Sequence, residues 1–194
     1  MTRYFITGTD TDAGKTLVTA GLLALARSRG LSTLGLKPIA SGCRRTGAGL
    51  RNDDALALMA RSVPALAYET VNPFAFEPAI APHLATRQAG TNISLAQLGE
   101  HVAPLLEEPR DLILVEGAGG WRVPLNDSED LSGLATHLDL PVILVVGLRL
   151  GCLNHARLTA EAIRADGAKL AGWVGNLLAA DFARDASLYA DNLA

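Results

Sequence analysis

The chain has 194 residues, of which 49% are hydrophobic and 19% charged, a balance that is typical of a globular protein with a sizeable core and excludes a disordered chain. Its formal net charge is −3 and it has no block of basic residues, which argues against a nucleic-acid partner, because that affinity would come mostly from clustered Lys and Arg. It has no long apolar run, no leader-like N-terminus and only two cysteines, so we expect no membrane partner, no disulfide framework and a cytoplasmic location.

The hydrophobic pattern predicts strands and helices that alternate along the chain. Strands are expected at residues 3–7, 31–37, 111–116, 141–147 and 170–176. Helices are expected at residues 15–29, 53–61, 94–107, 128–138, 153–166 and 181–194, and residues 71–82 are expected to form an extended loop because they contain three prolines. The strands are continuous apolar runs, which indicates a sheet covered on both faces. We therefore predict one α/β domain over residues 1–194, with a mostly parallel sheet between helical layers.

The unusual residues of the sequence follow the predicted strands. The segments that come after them, in chain order, are GTDTDAGKT, KPIASG, EGAGGW, GLRLGCLNH and Asn176. In a parallel sheet of this kind, ligands bind beyond the carboxyl ends of the strands. The five polar or glycine-rich segments therefore predict a single ligand site at one edge of the sheet.

The first of these segments, residues 8–16, resembles a phosphate-binding loop with one residue more than the usual GxxxxGK[ST] pattern. Its Gly14-Lys15-Thr16 ending would begin a helix, supply a Lys for the phosphates and offer a hydroxyl to Mg²⁺. A glycine turn with a surface Lys is the alternative. The extra residue would widen the loop and leave the polar side chains of residues 9–12 beside the terminal phosphate, where a second substrate would sit.

Two acidic positions are candidates for binding the metal. Glu116 ends the apolar run of residues 111–116, so a buried strand would deliver its carboxylate to the ligand edge; a solvated or helix-capping Glu is the alternative. Asp53 and Asp54 stand at the start of a predicted helix, where Asp favours the capping position. Both roles can hold if one Asp caps the helix and the other faces the metal.

Two further segments supply candidate substrate contacts. Lys37 ends the second strand and precedes Pro38, where it either stabilises developing negative charge or is an ordinary exposed Lys; Ser41 follows as a hydroxyl contact. Gly151 begins a helix whose first N–H groups are unpaired and could bind a carboxylate. Cys152 has no basic partner nearby in the sequence, so we interpret it as a packed side chain and not as a nucleophile.

Taken together, these motifs resemble those of dethiobiotin synthetases, in order and over essentially the whole chain. The matching segments are GTDTDAGKT, GLKPIASG, LRNDDALAL, TVNPFAFEPAIAPH, LVEGAGGW, LPVILVVGLRLGCLNHA and LAGWVGN. The longer phosphate loop is itself a mark of that family. The resemblance implies a P-loop NTPase-type fold and formation of the ureido ring of dethiobiotin from 7,8-diaminopelargonic acid, CO₂ (or bicarbonate) and ATP, with Mg²⁺.

The resemblance also implies a role for each matching residue. Lys15 and Lys37 would act in catalysis, and Thr16, Asp54 and Glu116 would bind Mg²⁺. The nucleotide would be held by Asp12, Ala13, Gly14, Lys15, Thr16, Leu17, Asp54, Glu116, Gly117, Ala118, Gly119 and Asn176. The diamine end of the substrate would contact Thr11, Lys37 and Ser41. Its carboxylate would be held across the interface of a homodimer by Gly151, Cys152, Leu153, Asn154 and Tyr189.

Two departures from the family pattern are evident. Arg149 stands where many members have Lys, which should keep the charge. Members of the family continue past the position of Ala194 into a segment that contacts the nucleotide base, so we expect the base pocket to be incomplete within these residues.

Other classes of nucleotide-binding protein remain as alternatives. A partitioning ATPase of the MinD/ParA kind carries an additional Lys in its loop, where this chain has Asp10. An amidoligase domain of the cobyrinic acid synthase kind would be expected to continue into a glutaminase domain. A non-catalytic nucleotide-binding module would leave Lys37 and Ser41 without a function.

Overall fold

The computed structural model describes residues 1–178 and 180–193. Its strands are β1 (Thr2–Gly8), β2 (Thr33–Leu36), β3 (Ile39–Ala40), β4 (Arg44–Thr46), β5 (Gly49–Arg51), β6 (Phe74–Ala75), β7 (Leu112–Glu116), β8 (Val142–Leu148) and β9 (Leu170–Leu177). Its α-helices are α1 (Lys15–Ser28), α2 (Asp53–Met59), α3 (Tyr68–Val71), α4 (Pro82–Gln88), α5 (Leu95–Leu106), α6 (Gly133–His137), α7 (Cys152–Ala165) and α8 (Ala186–Asp191), with a 3₁₀ helix at Ala180–Arg184.

A five-stranded sheet with the order β2-β7-β1-β8-β9 forms the centre of the protein. Every neighbouring pair in it is parallel, so the carboxyl ends of all five strands lie at one edge. The α/β class and the parallel sheet are therefore confirmed, and all five predicted strands are found. β1 lies in the middle of the sheet, which places the segment that follows it at the centre of the ligand edge.

Both faces of the sheet are covered, as the continuous apolar strands predict. Successive side chains of a strand point to opposite faces. In β7, Ile113 and Val115 belong to a core cluster that includes Leu98 of α5, whereas Leu114 belongs to a second cluster with Leu23 of α1. The apolar residues of β7 are thus buried on both sides, and the strand carries the following Glu116 into the interior.

Two predicted helices are shorter than expected. The helix expected at residues 128–138 is confined to α6, because the side chain of Asn126 accepts hydrogen bonds from the N–H groups of Ser128 and Glu129 and holds that stretch in a turn. The helix expected at residues 181–194 is divided into the 3₁₀ helix and α8, and the ring of Phe182 packs on Tyr189 across the division at 4.6 Å. Ala194 lies outside the described residues.

The stretch predicted as an extended loop, residues 71–82, contains more structure than its prolines suggest. It begins at the end of α3, contains β6, which pairs with β3, and reaches the first residue of α4. The hairpin of β4 and β5 was not predicted either. Elements of two to four residues are too short for a periodic pattern to reveal them. Within the described part of the chain, no helix has the length and hydropathy needed to cross a membrane.

Candidate active site

A cavity of about 680 Å³ lies beyond the carboxyl ends of the central strands. The predicted site residues that line it are Thr11, Asp12, Gly14, Lys15, Thr16, Lys37, Ser41, Asp54, Ala118 and Gly119. The lining residues that the sequence did not single out are Ala40, Asn52, Ala79, Ile80, Ala81, Pro82 and Val123. The segments that follow β1, β2 and β7 thus meet around one cavity, whereas the segments after β8 and β9, which were predicted to join them, do not line it.

The phosphate-loop segment connects β1 directly to α1. Gly14 is the N-terminal cap of α1 and has a left-handed backbone with φ of 91°, and no side chain caps the helix. The first N–H groups of α1 are therefore available to an anion. The Lys15 ammonium group donates a 3.0 Å hydrogen bond to the carbonyl oxygen of Asp10 within the same loop. Burial, and then the positive charge of Lys37, lower the pKa of Lys15 to about 8.

A compact cluster of charged and hydroxyl groups lies beside this loop. Lys37 Nζ donates to Glu116 Oε1 at 2.8 Å and to the carbonyl oxygen of Gly117 at 2.9 Å. The same ammonium group lies 3.2 Å from Asp54 Oδ2. The Thr16 hydroxyl also donates to Glu116 Oε1, at 2.8 Å. The fold thereby brings one residue from each of α1, α2 and β7 around the Lys37 ammonium group.

In the pKa values of Lys37 and Asp54, burial is outweighed by the neighbouring opposite charges and hydrogen bonds taken together. Burial would lower the pKa of Lys37, but the carboxylates of Glu116 and Asp54 more than offset it and raise the pKa above the ordinary value. Burial would raise the pKa of Asp54, but the charge of Lys37 and the Thr16 hydroxyl outweigh it and lower the pKa. Lys37 is therefore an ammonium ion and Asp54 a carboxylate at neutral pH. The exposed-Lys alternative for Lys37 is wrong, because the residue is buried.

The oxygen atoms of this cluster suit a hard divalent cation. Glu116 is fully buried, and its second carboxylate oxygen, Oε2, has no hydrogen-bond partner among the described residues. A buried carboxylate oxygen without a partner is costly, and a bound cation would satisfy it. Mg²⁺ takes oxygen ligands, usually one or two carboxylates with waters, and Thr16, Asp54 and Glu116 match that set. Among the described residues, no group of three or more His, Cys, Asp or Glu side chains is arranged to hold a metal.

The start of α2 differs from the prediction that one residue of the Asp53-Asp54 pair caps the helix. The cap of α2 is Asn52, whose side chain accepts a 3.1 Å hydrogen bond from the N–H of Ala55. Asp53 instead pairs with Arg44 at the surface. Neither Asp is the cap, and Asp54 alone faces the cavity. Asn52 was missed because Asp and Asn have similar capping preferences, so the sequence did not decide which of three adjacent residues capped the helix.

The glycine-rich segment after β7 forms one wall of the cavity. Gly119 has a left-handed backbone with φ of 61°, and a Cβ there would lie 2.8 Å from Val123 Cγ2. Ala118 and Gly119 line the cavity, whereas Gly117 contributes its carbonyl oxygen to the Lys37 ammonium group. The segment therefore approaches the site through its backbone, which leaves space for a ligand.

The remaining residues predicted to hold nucleotide lie around the loop and not in the cavity lining. Asn176, at the end of β9, donates a 3.0 Å hydrogen bond from Nδ2 to the carbonyl oxygen of Ala13. Leu17 lies in the first turn of α1 with 68% of its surface exposed. Asn176 thus supports the phosphate loop from a distant part of the sequence.

The residues predicted to hold a carboxylate form a separate group. Gly151 caps α7 with φ of 93°, and Asn154 is exposed in the first turn. Cys152 is buried and has a free thiol, in agreement with its interpretation as a packed side chain. Tyr189, in α8, packs on Phe182 of the 3₁₀ helix. The structure brings none of these residues, nor Leu153, into the lining of the cavity.

One ion pair connects the phosphate loop to the segment after β8. Arg149 donates to Asp10 Oδ2 at 2.6 Å, and the Lys15 ammonium group is bonded to the carbonyl oxygen of the same Asp10. The sequence indicated Arg149 only as a departure from a family pattern. Its partner was not apparent from the sequence because Asp10 follows β1 and Arg149 follows β8, and the two strands become neighbours only in the folded sheet.

Comparison with protein families and curated proteins identifies relatives over nearly the whole chain. The model of a family described as AAA domain matches residues 2–189. The ATP-dependent dethiobiotin synthetase BioD of Chromohalobacter salexigens is 69% identical over 198 residues, which cover 100% of this chain and 84% of that protein. The protein of the same name from Xylella fastidiosa is 47% identical over 184 residues, which cover 95% of this chain and 81% of the relative.

Solved structures resemble the chain in fold. A ParA family ATPase from Chlorobium tepidum has a TM-score of 0.57 at 15% identity, with 100% of this chain and 80% of that chain covered. The kinase domain of the Escherichia coli tyrosine kinase ETK has a TM-score of 0.52 at 14% identity, with 91% and 67% covered. At these identities the likeness concerns the fold alone, and it confirms a P-loop NTPase-type α/β architecture.

Proposed function

Because this chain belongs to the family of ATP-dependent dethiobiotin synthetases, we propose that it closes the ureido ring of dethiobiotin from 7,8-diaminopelargonic acid, CO₂ and ATP. Membership of that family makes it an ATP-dependent ligase of biotin biosynthesis that forms a carbon–nitrogen bond.

The proposal rests on the cluster that Lys37 forms with Glu116, Asp54 and Thr16. A buried ammonium group stands between two carboxylates and beside the phosphate loop, so positive charge is fixed where phosphate oxygens would lie. Among the described residues that line the cavity, none is Cys or His. Phosphoryl transfer depends on positioning and charge neutralisation more than on covalent help from the protein. The nucleophile would therefore come from the substrate.

A carbamate supplies such a nucleophile. One amine of the diamine adds to CO₂ and loses a proton, which gives a carbamate anion. A carbamate oxygen then attacks the γ-phosphorus of ATP, the bond from phosphorus to the bridging oxygen breaks, and ADP leaves. The second amine attacks the carbonyl carbon of the resulting carbamic-phosphoric anhydride, and phosphate leaves with the bonding electrons as the ring closes. The attacking nitrogen then loses one proton and becomes the second N–H of the ureido ring.

The charges around the cavity suit these steps. Lys37 would stabilise the carbamate and the transferring phosphoryl group, and Lys15 would exchange its bond to Asp10 for the phosphates. Thr16, Asp54 and Glu116 would hold Mg²⁺, which supplies neutralisation of the phosphate charge when it is bound. Thr11 and Ser41 line the cavity where they can contact the diamine.

The nucleotide would lie along the phosphate loop and the glycine-rich wall. Its phosphates would accept hydrogen bonds from the N–H groups at the start of α1, which no side chain caps. The residues proposed to hold it are Asp12, Ala13, Gly14, Lys15, Thr16, Leu17, Asp54, Glu116, Gly117, Ala118, Gly119 and Asn176.

The carboxylate of the substrate would be bound by a second copy of the chain. Gly151, Asn154 and Tyr189 lie outside the cavity lining, so a neighbouring subunit must supply them if they are to reach the substrate. The segment that carries Gly151 and Asn154 exposes Leu150 to 84% and Leu158 to 56%, and burial of these two side chains against a second subunit would be favourable. We propose a homodimer in which Gly151, Cys152, Leu153, Asn154 and Tyr189 serve the partner's cavity.

Mg²⁺-dependent ADP release measures the proposed activity. With ATP and bicarbonate, release should require 7,8-diaminopelargonic acid, and dethiobiotin should form in equal amount. Lys37→Met should abolish this release, whereas Lys169→Met, which removes an exposed Lys, should leave it unchanged. Release that is indifferent to the diamine would favour a switch ATPase, and an unaffected Lys37→Met variant would favour a non-catalytic module; either result would contradict the proposal.

A further inference from the structure

Three buried hydrogen bonds connect the start of α2 to Lys37, and in each of them the donor is the group nearer to α2. The backbone N–H of Asn52 donates to the Tyr68 hydroxyl oxygen at 2.7 Å, and the Tyr68 hydroxyl donates to Asn72 Oδ1 at 2.9 Å. Asn72 Nδ2 then donates to the carbonyl oxygen of Lys37 at 2.6 Å. Asn52, Tyr68 and Asn72 are all buried, so water does not compete for these bonds. We call this series the Tyr68 relay.

Each end of the Tyr68 relay lies next to a charged group of the candidate active site. At one end, Asn52 caps α2, the helix whose second residue is Asp54. At the other end the relay holds the backbone of Lys37, whose own N–H donates to the carbonyl oxygen of Val71 at 2.9 Å. Both backbone groups of Lys37 are thus held by the end of α3 and the residue after it.

We propose that Tyr68 is a positioning residue that fixes the Lys37 ammonium group relative to the Asp54 carboxylate. Lys37 Nζ lies 3.2 Å from Asp54 Oδ2, so the two side chains are joined by an ion pair. The Tyr68 relay joins their backbones through hydrogen bonds between Asn52, at the start of α2, and the carbonyl oxygen of Lys37. This inference rests on the roles proposed above for Lys37 and Asp54. Tyr68 does not line the cavity and needs no contact with substrate, nucleotide or metal.

The hydroxyl of Tyr68 is essential to the relay because it both accepts and donates. Burial raises the pKa of Tyr68, despite the hydrogen bond from Asn52, so the phenol keeps the proton that it donates to Asn72. The guanidinium group of Arg51 lies 4.1 Å from the centre of the ring and holds it in place. Phe at this position would preserve the ring contact and leave a buried N–H and a buried amide oxygen without partners.

Ser62→Ala is a matched control for Tyr68→Phe. The Ser62 hydroxyl is also buried, accepts from the N–H of Gly35 at 3.0 Å and donates to the carbonyl oxygen of Leu58 at 3.0 Å. Each variant therefore removes one buried hydroxyl with one donor and one acceptor role. The Ser62 hydroxyl joins the last turn of α2 to Gly35 of β2, whereas the Tyr68 relay joins the first turn of α2, beside Asp54, to the carbonyl oxygen of Lys37. The two variants therefore separate a positioning effect at Lys37 and Asp54 from a loss of stability.

The experiment compares both variants with the wild-type chain in two assays. At saturating Mg²⁺, Tyr68→Phe should lower kcat about 10-fold or more and leave KM for ATP within about 2-fold, because a displaced charge impairs the reaction more than binding to the phosphate loop. By calorimetry without the diamine, Tyr68→Phe should raise the Mg²⁺ concentration that half-saturates ATP binding. Ser62→Ala should lower the melting temperature and change neither kcat nor the Mg²⁺ requirement.

Equal kcat and equal Mg²⁺ requirement in Tyr68→Phe and Ser62→Ala would overturn the proposal. If Tyr68→Phe does not fold, Asn72→Ser removes the amide that accepts from Tyr68 and donates to the Lys37 carbonyl, and it should give the same split. If the wild-type chain shows no diamine-dependent ADP release, the proposed function fails, whereas the calorimetric comparison still decides whether Tyr68 positions the Lys37–Asp54 pair.

Discussion

A Cβ atom placed on Gly14 would lie 2.0 Å from Asn176 Nδ2, so any other residue at position 14 would force the Asn176 side chain to move away. Asn176 Nδ2 also donates a hydrogen bond to the carbonyl oxygen of Ala13, so β9 supports the phosphate loop at the residue before Gly14. The glycine is required there twice, once for this close approach and once for its left-handed backbone.

Gly14→Ala is therefore expected to weaken ATP binding by about 10-fold or more. A left-handed backbone costs a non-glycine residue about 1–2 kcal/mol, and tenfold in affinity corresponds to about 1.4 kcal/mol. The loop must open to relieve both the strain and the clash. Calorimetric titration with Mg·ATP measures the loss.

Gly21→Ala is the control for this substitution. Gly21 lies in the middle of α1, and a Cβ there meets nothing within 4 Å. Ala should stabilise the helix by about 1 kcal/mol relative to Gly and leave ATP affinity unchanged. An ATP affinity of Gly14→Ala equal to that of Gly21→Ala would exclude the phosphate-loop role.

Thr16→Ala and Glu116→Gln should each lower Mg²⁺-dependent turnover at least about 10-fold, since charge neutralisation by the metal supplies several kcal/mol. Glu116→Gln keeps the shape of the side chain and removes the charge beside Lys37. The measurement is turnover as a function of Mg²⁺ concentration. Thr19→Ala removes a buried hydroxyl one turn along α1, bonded only to the Lys15 carbonyl, and should retain turnover. Wild-type rates in both site variants would eliminate the metal assignment.

ATP binding should take up a proton above a pH of about 8, the value to which burial and the charge of Lys37 lower the pKa of Lys15. Below that pH the ammonium form is already present. Above it the ligand-free Lys15 is neutral, and the phosphates favour the ammonium form and raise its pKa, so affinity falls as pH rises. Titrations in buffers with different ionisation enthalpies measure the uptake. Lys15→Arg keeps its charge and should show none; uptake that persists in that variant would assign the proton to another group.

Asn154→Asp should raise KM for the diamine far more than KM for ATP. The new charge would stand at the start of α7, where the proposed homodimer binds the substrate carboxylate, and like charges repel. Steady-state kinetics with each substrate varied in turn give the two values. Asn192→Asp makes the same change at an exposed position in the last turn of the chain and should alter neither. Equal changes in the two KM values would contradict a carboxylate site at Asn154.

The sequence predicted the parallel sheet because its strands are buried on both faces and therefore appear as apolar runs. It also predicted the position of Glu116, since a buried strand that ends in an acid must deliver that acid to the sheet edge. The cap of α2 and the turn at Asn126 were not predicted, because side-chain hydrogen bonds to nearby backbone leave no periodic signal. The Tyr68 relay was invisible for a different reason: its members come from separate elements, and only the fold brings their polar atoms within bonding distance.

Lys37 and Glu116 are buried together, so the effect of a substitution at one position on stability depends on the residue at the other. Glu116 without Lys37 would be an uncompensated buried charge, and removal of one partner from such a pair costs about 3–5 kcal/mol, a large part of the stability of a small domain. Lys37 without Glu116 would still pair with Asp54. Loss of both at once removes the charges together and spares the fold. Neutral drift therefore passes less easily through loss of Lys37 alone than through loss of Glu116 alone. A relative that keeps this architecture but has lost Lys37 is expected to lack Glu116 as well, which gives genome surveys a two-position signature of lost activity.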